Sequence, residues 1–232
     1  MSDDAPRETM EVDVLFVGGG PASLASAYHL AGLCKAKGIA PQIALIEKGA
    51  EIGNLGLSGA VMDPKGIAEL MPDWRAQGCP VQAEVGEEEV LYLTEGTHFR
   101  LPLTPPPMRN HGNVIVSLSE LCRWLGRKVE AREVMVFTGF SGRELLMDGD
   151  RVIGVRTGDK GVGKQGNRKG NFEPGIDLKA KVTVLGEGPR GTLTKVLRAR
   201  LGMDEGRNPP AYGTGVKEVW EVPHDDFKGR VV

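Results

Sequence analysis

Gly18, Gly19 and Gly20, with Pro21, Ala22 and Ser23 after them and Glu47 placed 24 residues beyond Ser23, have the types and spacing to hold a dinucleotide. Gly18 would permit a tight turn, and Gly20 would let the backbone approach a pyrophosphate with no Cβ in the way. A helix starting there would aim unpaired N–H groups and the positive end of its dipole at the phosphates. Glu47 would accept hydrogen bonds from a ribose. The third position of the Gly-x-Gly-x-x-Gly pattern is Ser23, not glycine; its task is close packing of helix on strand, for which serine is small enough at some cost. Lys48, directly after the acid, is compatible with a 2′-phosphate. Nothing in this unit distinguishes FAD from NAD.

The elements that must position these residues are legible around them. Residues 12–17 are a β-branched and aromatic run, the composition of a strand buried on both faces. Residues 24–34 are rich in Ala and Leu and read as a helix, and residues 42–47 read as a second strand ended by the acid. Together they predict a βαβ unit. The arrangement recurs later: Ile176, Leu178, Ala180, Val182 and Val184 alternate with polar positions and run into Gly186-Glu187-Gly188-Pro189-Arg190-Gly191, then a helix over 192–201. Parallel strands in one sheet would bring both glycine turns to the same edge, where α/β folds bind ligands. Glu187 and Gly188 are compatible with a place beside a cofactor and equally with a helix cap.

Between the two turns the chain carries weaker signals. The uncharged, Gly-rich stretch 52–59 suits packing against a flat ligand, or a plain connection. Residues 84–89 are acidic and expected at the surface. Residues 90–94 and 97–101 predict a hairpin around Glu95-Gly96, leading into an apolar, proline-stiffened loop over 102–108. Such a loop can pack on a neighbouring domain or on a bilayer surface. Ser117-Leu118-Ser119-Glu120 has the spacing of a capping box, opening a helix whose stripe is Leu121, Trp124, Leu125 and Val129. Short strands are expected over 134–137, 144–147 and 152–155. The span 158–175, with six glycines and Lys160, Lys164, Arg168 and Lys169, reads as a flexible basic loop.

Composition narrows the class. A chain of 232 residues with 40% hydrophobic and 26% charged residues folds around a core and is not disordered. A formal charge of -2 gives no electrostatic argument for nucleic acid. Cys34, Cys79 and Cys122 are widely spaced, with no Cys or His at ligand spacing, so they make neither a disulfide framework nor a zinc or iron–sulfur site, and read as free thiols. Residues 14–34 hold no charge, but Gly18, Gly19, Gly20, Pro21, Ser23, Ser26 and His29 make them a poor membrane helix. The acids before them, Asp3, Asp4, Glu8, Glu11 and Asp13, are the wrong sign for a signal or transit peptide.

With both turns in view, the chain resembles the N-terminal, FAD-binding part of the electron transfer flavoprotein-ubiquinone oxidoreductase family. The resemblance rests on Val17-Gly18-Gly19-Gly20-Pro21-Ala22, on Ile52-Gly53 with Leu57-Ser58-Gly59-Ala60 and Asp63-Pro64, and on Asn110-His111-Gly112-Asn113. It continues through Cys122-Arg123-Trp124-Leu125, Gly158-Asp159-Lys160-Gly161, Asn171-Phe172-Glu173-Pro174-Gly175, Ala180-Lys181-Val182-Thr183 and Tyr212-Gly213-Thr214-Gly215-Val216-Lys217-Glu218.

The resemblance implies a monotopic membrane flavoprotein with non-covalent FAD, passing electrons from reduced electron transfer flavoprotein to ubiquinone. A 4Fe-4S cluster is implied only for the full-length parent. It assigns cofactor-binding roles to Gly18, Gly19, Gly20, Pro21, Ala22, Ser23, Glu47, Lys48, Leu57, Ser58, Gly59, Glu187 and Gly188, and requires no general acid, base or nucleophile because flavin carries the electrons. The family's pattern usually has glycine at position 23 and alanine at 186, and this chain departs from both. Its cysteine motif and most of its quinone region lie beyond Val232, so the chain reads as a fragment.

The implied fold is α/β: a Rossmann-like FAD-binding domain, residues 1–80 and 110–232, incomplete at its C-terminus. A β-rich antiparallel insertion, residues 81–109, would face the membrane or quinone domain. The expected location is cytoplasmic, peripheral on the inner face of the cell membrane. Other readings are a FAD-dependent reductase or hydroxylase of the wider flavoprotein group, and a non-catalytic FAD-binding fragment.

Overall fold

A computed structural model describes residues 7–57 and 59–213, and beyond them 215, 216, 218, 223, 230 and 231. In chain order the elements begin β1 (Thr9–Val17), α1 (Pro21–Ala36), β2 (Ile43–Glu47), β3 (Ala60–Met62), α2 (Lys65–Leu70), β4 (Val81–Glu84) and β5 (Glu87–Glu88). There follow β6 (Leu91–Leu93), β7 (His98–Arg100), a 3-10 turn at Pro106–Met108, β8 (Val114–Val116), α3 (Leu118–Glu130) and β9 (Met135–Thr138). The last are β10 (Gly142–Asp148), β11 (Arg151–Thr157), β12 (Lys160–Val162), β13 (Arg168–Glu173), β14 (Asp177–Leu185), α4 (Thr192–Arg200) and β15 (Arg230–Val231). They divide into one unit of Met1–Leu55 with Leu125–Gly213 and another of Gly56–Trp124 with Thr214–Val232.

The first unit is built on a six-stranded sheet of order β10-β11-β14-β1-β2-β9. The strands β14, β1, β2 and β9 run parallel, and β11 and β10 extend the sheet antiparallel. Parallel strands are buried on both faces, which is why β2 is an unbroken apolar run, buried from Ile43 to Ile46. Val17 pairs with Leu185 and with Ile46, so β1 ends level with both neighbours. The first glycine turn therefore emerges between them. Leu15, Leu24 and Leu45 are fully buried, each stabilising the fold by about 1.5–3 kcal/mol.

Pro21 opens α1 where its missing N–H costs nothing. Gly38, at φ +66, closes it, and the Ile39 N–H returns to the Cys34 carbonyl at 2.9 Å. Arg132 fastens the middle of this helix: its guanidinium lies 3.3 Å from the Tyr28 ring centroid and donates to the Tyr28 carbonyl at 2.6 Å.

The expected loop over 158–175 is instead an antiparallel ribbon of β12 and β13, pairing Lys160 with Glu173 and Val162 with Arg168. Its base is tied to the sheet. Arg7 donates to the Asp159 carboxylate at 2.5 Å and to the Gly175 carbonyl at 3.1 Å, and the Gly175 N–H donates to Asp159 at 2.7 Å. Beside it Arg156 forks onto Asp177 at 2.7 and 2.9 Å, joining β11 to β14.

The Arg156 guanidinium holds the Asp177 carboxyl below its ordinary value, and Arg7 with the Gly175 N–H does the same for Asp159. A carboxyl depressed on folding stabilises above its unfolded pKa of about 3.9, and that stabilisation disappears as pH falls through the lower folded value. Urea melts between pH 7 and pH 2 should therefore show stability falling below about pH 4. Asp177→Asn should cost about 1–2 kcal/mol at pH 7 and make that acid limb shallower; an unchanged limb would contradict the pairing.

In the second unit, β8 is the centre of a three-stranded antiparallel sheet, β3-β8-β4. Trp124, buried at 3%, donates its indole N–H to the Gln77 carbonyl at 3.1 Å. The expected hairpin is present, with Leu91, Tyr92 and Leu93 opposite Arg100, Phe99 and His98. Near the C-terminus, Arg230–Val231 pairs parallel with Glu87–Glu88, while 227–229 and 232 lie outside the described residues.

Candidate functional site

Two turns meet at the C-terminal ends of β1 and β14. The Gly18 N–H donates to the Ile46 carbonyl at 2.8 Å, and the Gly186 N–H donates to the Val17 carbonyl at 2.9 Å. A Cβ placed on Gly18 would lie 2.5 Å from the Gly186 carbonyl oxygen, and φ is +103 there, so glycine is required twice over. A Cβ on Gly19 would strike the Ile52 side chain at 2.6 Å.

Gly20 differs from both. Its backbone is extended (φ -79, ψ 173), which any residue can adopt, and a Cβ there would meet nothing within 4 Å. Protein packing therefore gives no reason for glycine at position 20. The space beyond it lies at the start of α1, where no side chain caps the helix, and Pro21 and Ala22 are exposed beside it. An anion approaching the N–H groups of this first turn would find glycine's absent side chain an advantage.

Glu47 ends β2 within reach of the same turn. Its carboxylate accepts from the Gly19 N–H at 2.6 Å and from the Gly49 N–H at 2.7 Å. Its carbonyl accepts from the Phe140 N–H at 2.9 Å. Two backbone donors thus fix the carboxylate before any ligand arrives, and its remaining lone pairs stay available for hydroxyl donors. Lys48 is exposed.

The second turn uses its acid differently. The Glu187 carboxylate accepts from the Leu193 N–H at 3.2 Å, and from the Thr194 N–H at 2.9 Å and hydroxyl at 3.0 Å. It is the cap of α4, satisfying N–H groups the helix leaves open. Gly188, at φ +79 and exposed, borders open space, so what this turn offers a ligand is backbone.

Ser23 is 2% exposed in the first turn of α1, and its hydroxyl has no hydrogen-bond partner. Leu57 and Gly59 belong to the second unit, Leu57 70% exposed and Gly59 at φ +74, while Ser58 lies outside the described residues. Gly18, Gly19, Gly20, Pro21, Ala22, Ser23, Glu47, Glu187 and Gly188 are thus gathered around one sheet edge. Sequence reasoning missed Gly49, whose N–H orients Glu47; its signal was a glycine two residues after the acid, the spacing of a local side-chain turn.

Strand, glycine turn, helix and acid-ended strand in this geometry define a Rossmann-like dinucleotide-binding fold. Solved structures share it. A flavin-dependent monooxygenase, PieE, crystallised with FAD and substrate, superposes with a TM-score of 0.54 at 16% identity over 83% of this chain and 32% of its own. A geranylgeranyl bacteriochlorophyll reductase-like protein from Thermoplasma acidophilum gives 0.53 at 18% identity over 76% of this chain and 39% of its own.

No family model matches the chain. Individual proteins match it along almost its whole length. It is 41% identical over 229 residues (98% of this chain, 38% of the relative) to the mitochondrial electron transfer flavoprotein-ubiquinone oxidoreductase of Dictyostelium discoideum. The human mitochondrial protein of that name is 41% identical over 228 residues, 97% of this chain and 37% of the relative. A probable member from Acinetobacter baylyi is 41% identical over 234 residues, 97% of this chain and 40% of the relative. By sequence the chain belongs to the electron transfer flavoprotein-ubiquinone oxidoreductase family, and it spans 37–40% of the length of these relatives.

Proposed function

We propose that this chain is the FAD-binding part of a quinone-linked flavoprotein oxidoreductase, an electron-transferring-flavoprotein dehydrogenase that passes electrons from reduced electron transfer flavoprotein to ubiquinone. The observation that carries the cofactor is the clear space in front of Gly20, at an uncapped helix start, next to a carboxylate already oriented by two N–H groups. These residues fit a dinucleotide. The N–H groups of Ala22 and Ser23 would hold the pyrophosphate, Glu47 would accept from the ribose, and the backbone at Gly188 would border the chain between phosphate and flavin. The family resemblance also gives Leu57, Ser58 and Gly59 a cofactor-binding role. Bound FAD would supply the redox chemistry, and the protein would hold it and exclude water, so no acid, base or nucleophile is needed.

The partners follow from the relatives' names. In this reading the 4Fe-4S cluster belongs to the full-length parent; among the described residues no group of three His, Cys, Asp or Glu could hold a metal ion. Among them, too, no helix is long and apolar enough to cross a membrane. The hairpin and the loop after it, within residues 81–109, expose Tyr92 (65%), Leu93 (71%), Phe99 (59%) and Leu103 (78%). Apolar exposure along this hairpin and loop fits a peripheral membrane or quinone-facing surface.

An absorption spectrum of the purified chain after gel filtration, with and without added FAD, tests the reading. Oxidised flavin co-eluting with compact protein is the expected result. A compact chain that retained NAD but never FAD would overturn it.

A further inference from the structure

Ser23, in the first turn of α1, packs against Gly186 at the end of β14. A Cβ built on Gly186 would lie 2.0 Å from the Ser23 Oγ and 3.3 Å from the Ser23 Cβ. The serine hydroxyl is buried without a partner, so it fills space and makes no bond. Swinging it aside would still leave Ser23 Cβ nearer to a residue-186 side chain than ordinary van der Waals contact.

In the dinucleotide fingerprint the third glycine, at position 23, lets helix and strand approach closely. Here the side chain present at 23 occupies the volume that a side chain at 186 would need. The contact sits directly behind both turns: Gly186 N–H holds the Val17 carbonyl at 2.9 Å, and the Gly186 carbonyl lies against Gly18, where an added Cβ would come within 2.5 Å of its oxygen. Interiors are packed too tightly for either residue to grow without moving the other's element.

We infer that Ser23 and Gly186 are a sterically coupled pair that sets the distance between the two glycine turns, which makes Ser23 a positioning residue for the dinucleotide site. It acts through Gly186 on the Glu187-Gly188 turn. The consequence for ligand affinity rests on the FAD reading proposed above; the packing consequence does not.

Four chains test it: the parent sequence, Gly186→Ala, Ser23→Gly and the double variant. Each is assayed by FAD titration, by the visible flavin spectrum and by thermal melting. Gly186→Ala should weaken FAD binding at least about tenfold, perturb the flavin bands and lower Tm. Ser23→Gly added to it should bring affinity to within about threefold of the parent and recover Tm, a non-additivity expected of side chains in contact. If Gly186→Ala fails to fold, recovery of a cooperative melt in the double variant still supports the pair. A Gly186→Ala chain indistinguishable from the parent, or one that Ser23→Gly does not rescue, overturns it. Should no chain bind FAD, the cofactor reading fails while the melting cycle still decides the pair.

Discussion

Replacing Gly20 with alanine leaves the fold and Tm of the chain unchanged and weakens FAD binding by about tenfold or more, at ~1.4 kcal/mol per decade. The two halves of this result come from one fact. Alanine's methyl meets no protein atom within 4 Å, and the extended backbone at Gly20 accommodates it without strain. It would stand instead where a pyrophosphate must come up against the N–H groups of α1. Parallel Kd and Tm measurements on Gly20→Ala check both halves. Equal FAD affinity in the two chains would mean that the phosphates lie elsewhere. A large fall in Tm would mean that the clearance at Gly20 is filled by protein.

Replacing Glu47 with alanine should lower both quantities. The carboxylate holds the Gly19 and Gly49 N–H groups, at 2.6 and 2.7 Å, and its loss leaves the donors of two buried residues without a partner. Hydrogen bonds to a charged group contribute about 1.5–3 kcal/mol each. The ribose would lose an acceptor of the same kind, so FAD affinity should fall about 30-fold, the equivalent of ~2 kcal/mol. Glu47→Gln should be intermediate, because one amide oxygen can serve one of the two N–H groups while its NH2 must face the other. If titration found the alanine variant binding FAD as tightly as the parent, Glu47 would be a structural tie for the turn and not a ligand to ribose.

What could be read in the sequence was what is local. The β1-α1-β2 unit announces itself through a buried apolar run, three glycines and an alanine-rich helix, all within residues 12–47. The hairpin around Glu95-Gly96 carries its own turn signal. The β12–β13 ribbon does not: glycine and lysine hide any alternation, and pairing Lys160 with Glu173 is decided by contacts that the local pattern does not encode. Arg7 and Asp159 are 152 residues apart, and nothing in either neighbourhood names the other. Strands of three residues, such as Val114–Val116, are too short to show a period and owe their form to the partners on each side.

The candidate site divides the same way. Gly18, Gly20 and Glu47 could be picked out by spacing, but the coupling between Ser23 and Gly186 could not. It needs the helix placed against the end of β14 before a side chain at 186 and the Ser23 hydroxyl are seen to compete for one volume. Glu187 was open to two readings because its partners, Leu193 and Thr194, are six and seven residues ahead, beyond the usual reach of a cap at the helix boundary.

The two ends of β14 are not held alike. Asp177, Leu178 and Lys179 pair with β11 on one side and β1 on the other, whereas from Val182 to Leu185 the register involves β1 alone among the described residues. Local opening takes the path with fewest hydrogen bonds to break. Amide exchange is therefore expected to be faster toward the Gly186 end of β14 than at Asp177, Leu178 and Lys179. The second glycine turn thus hangs on a single ladder while the opposite end of the strand is held on both sides.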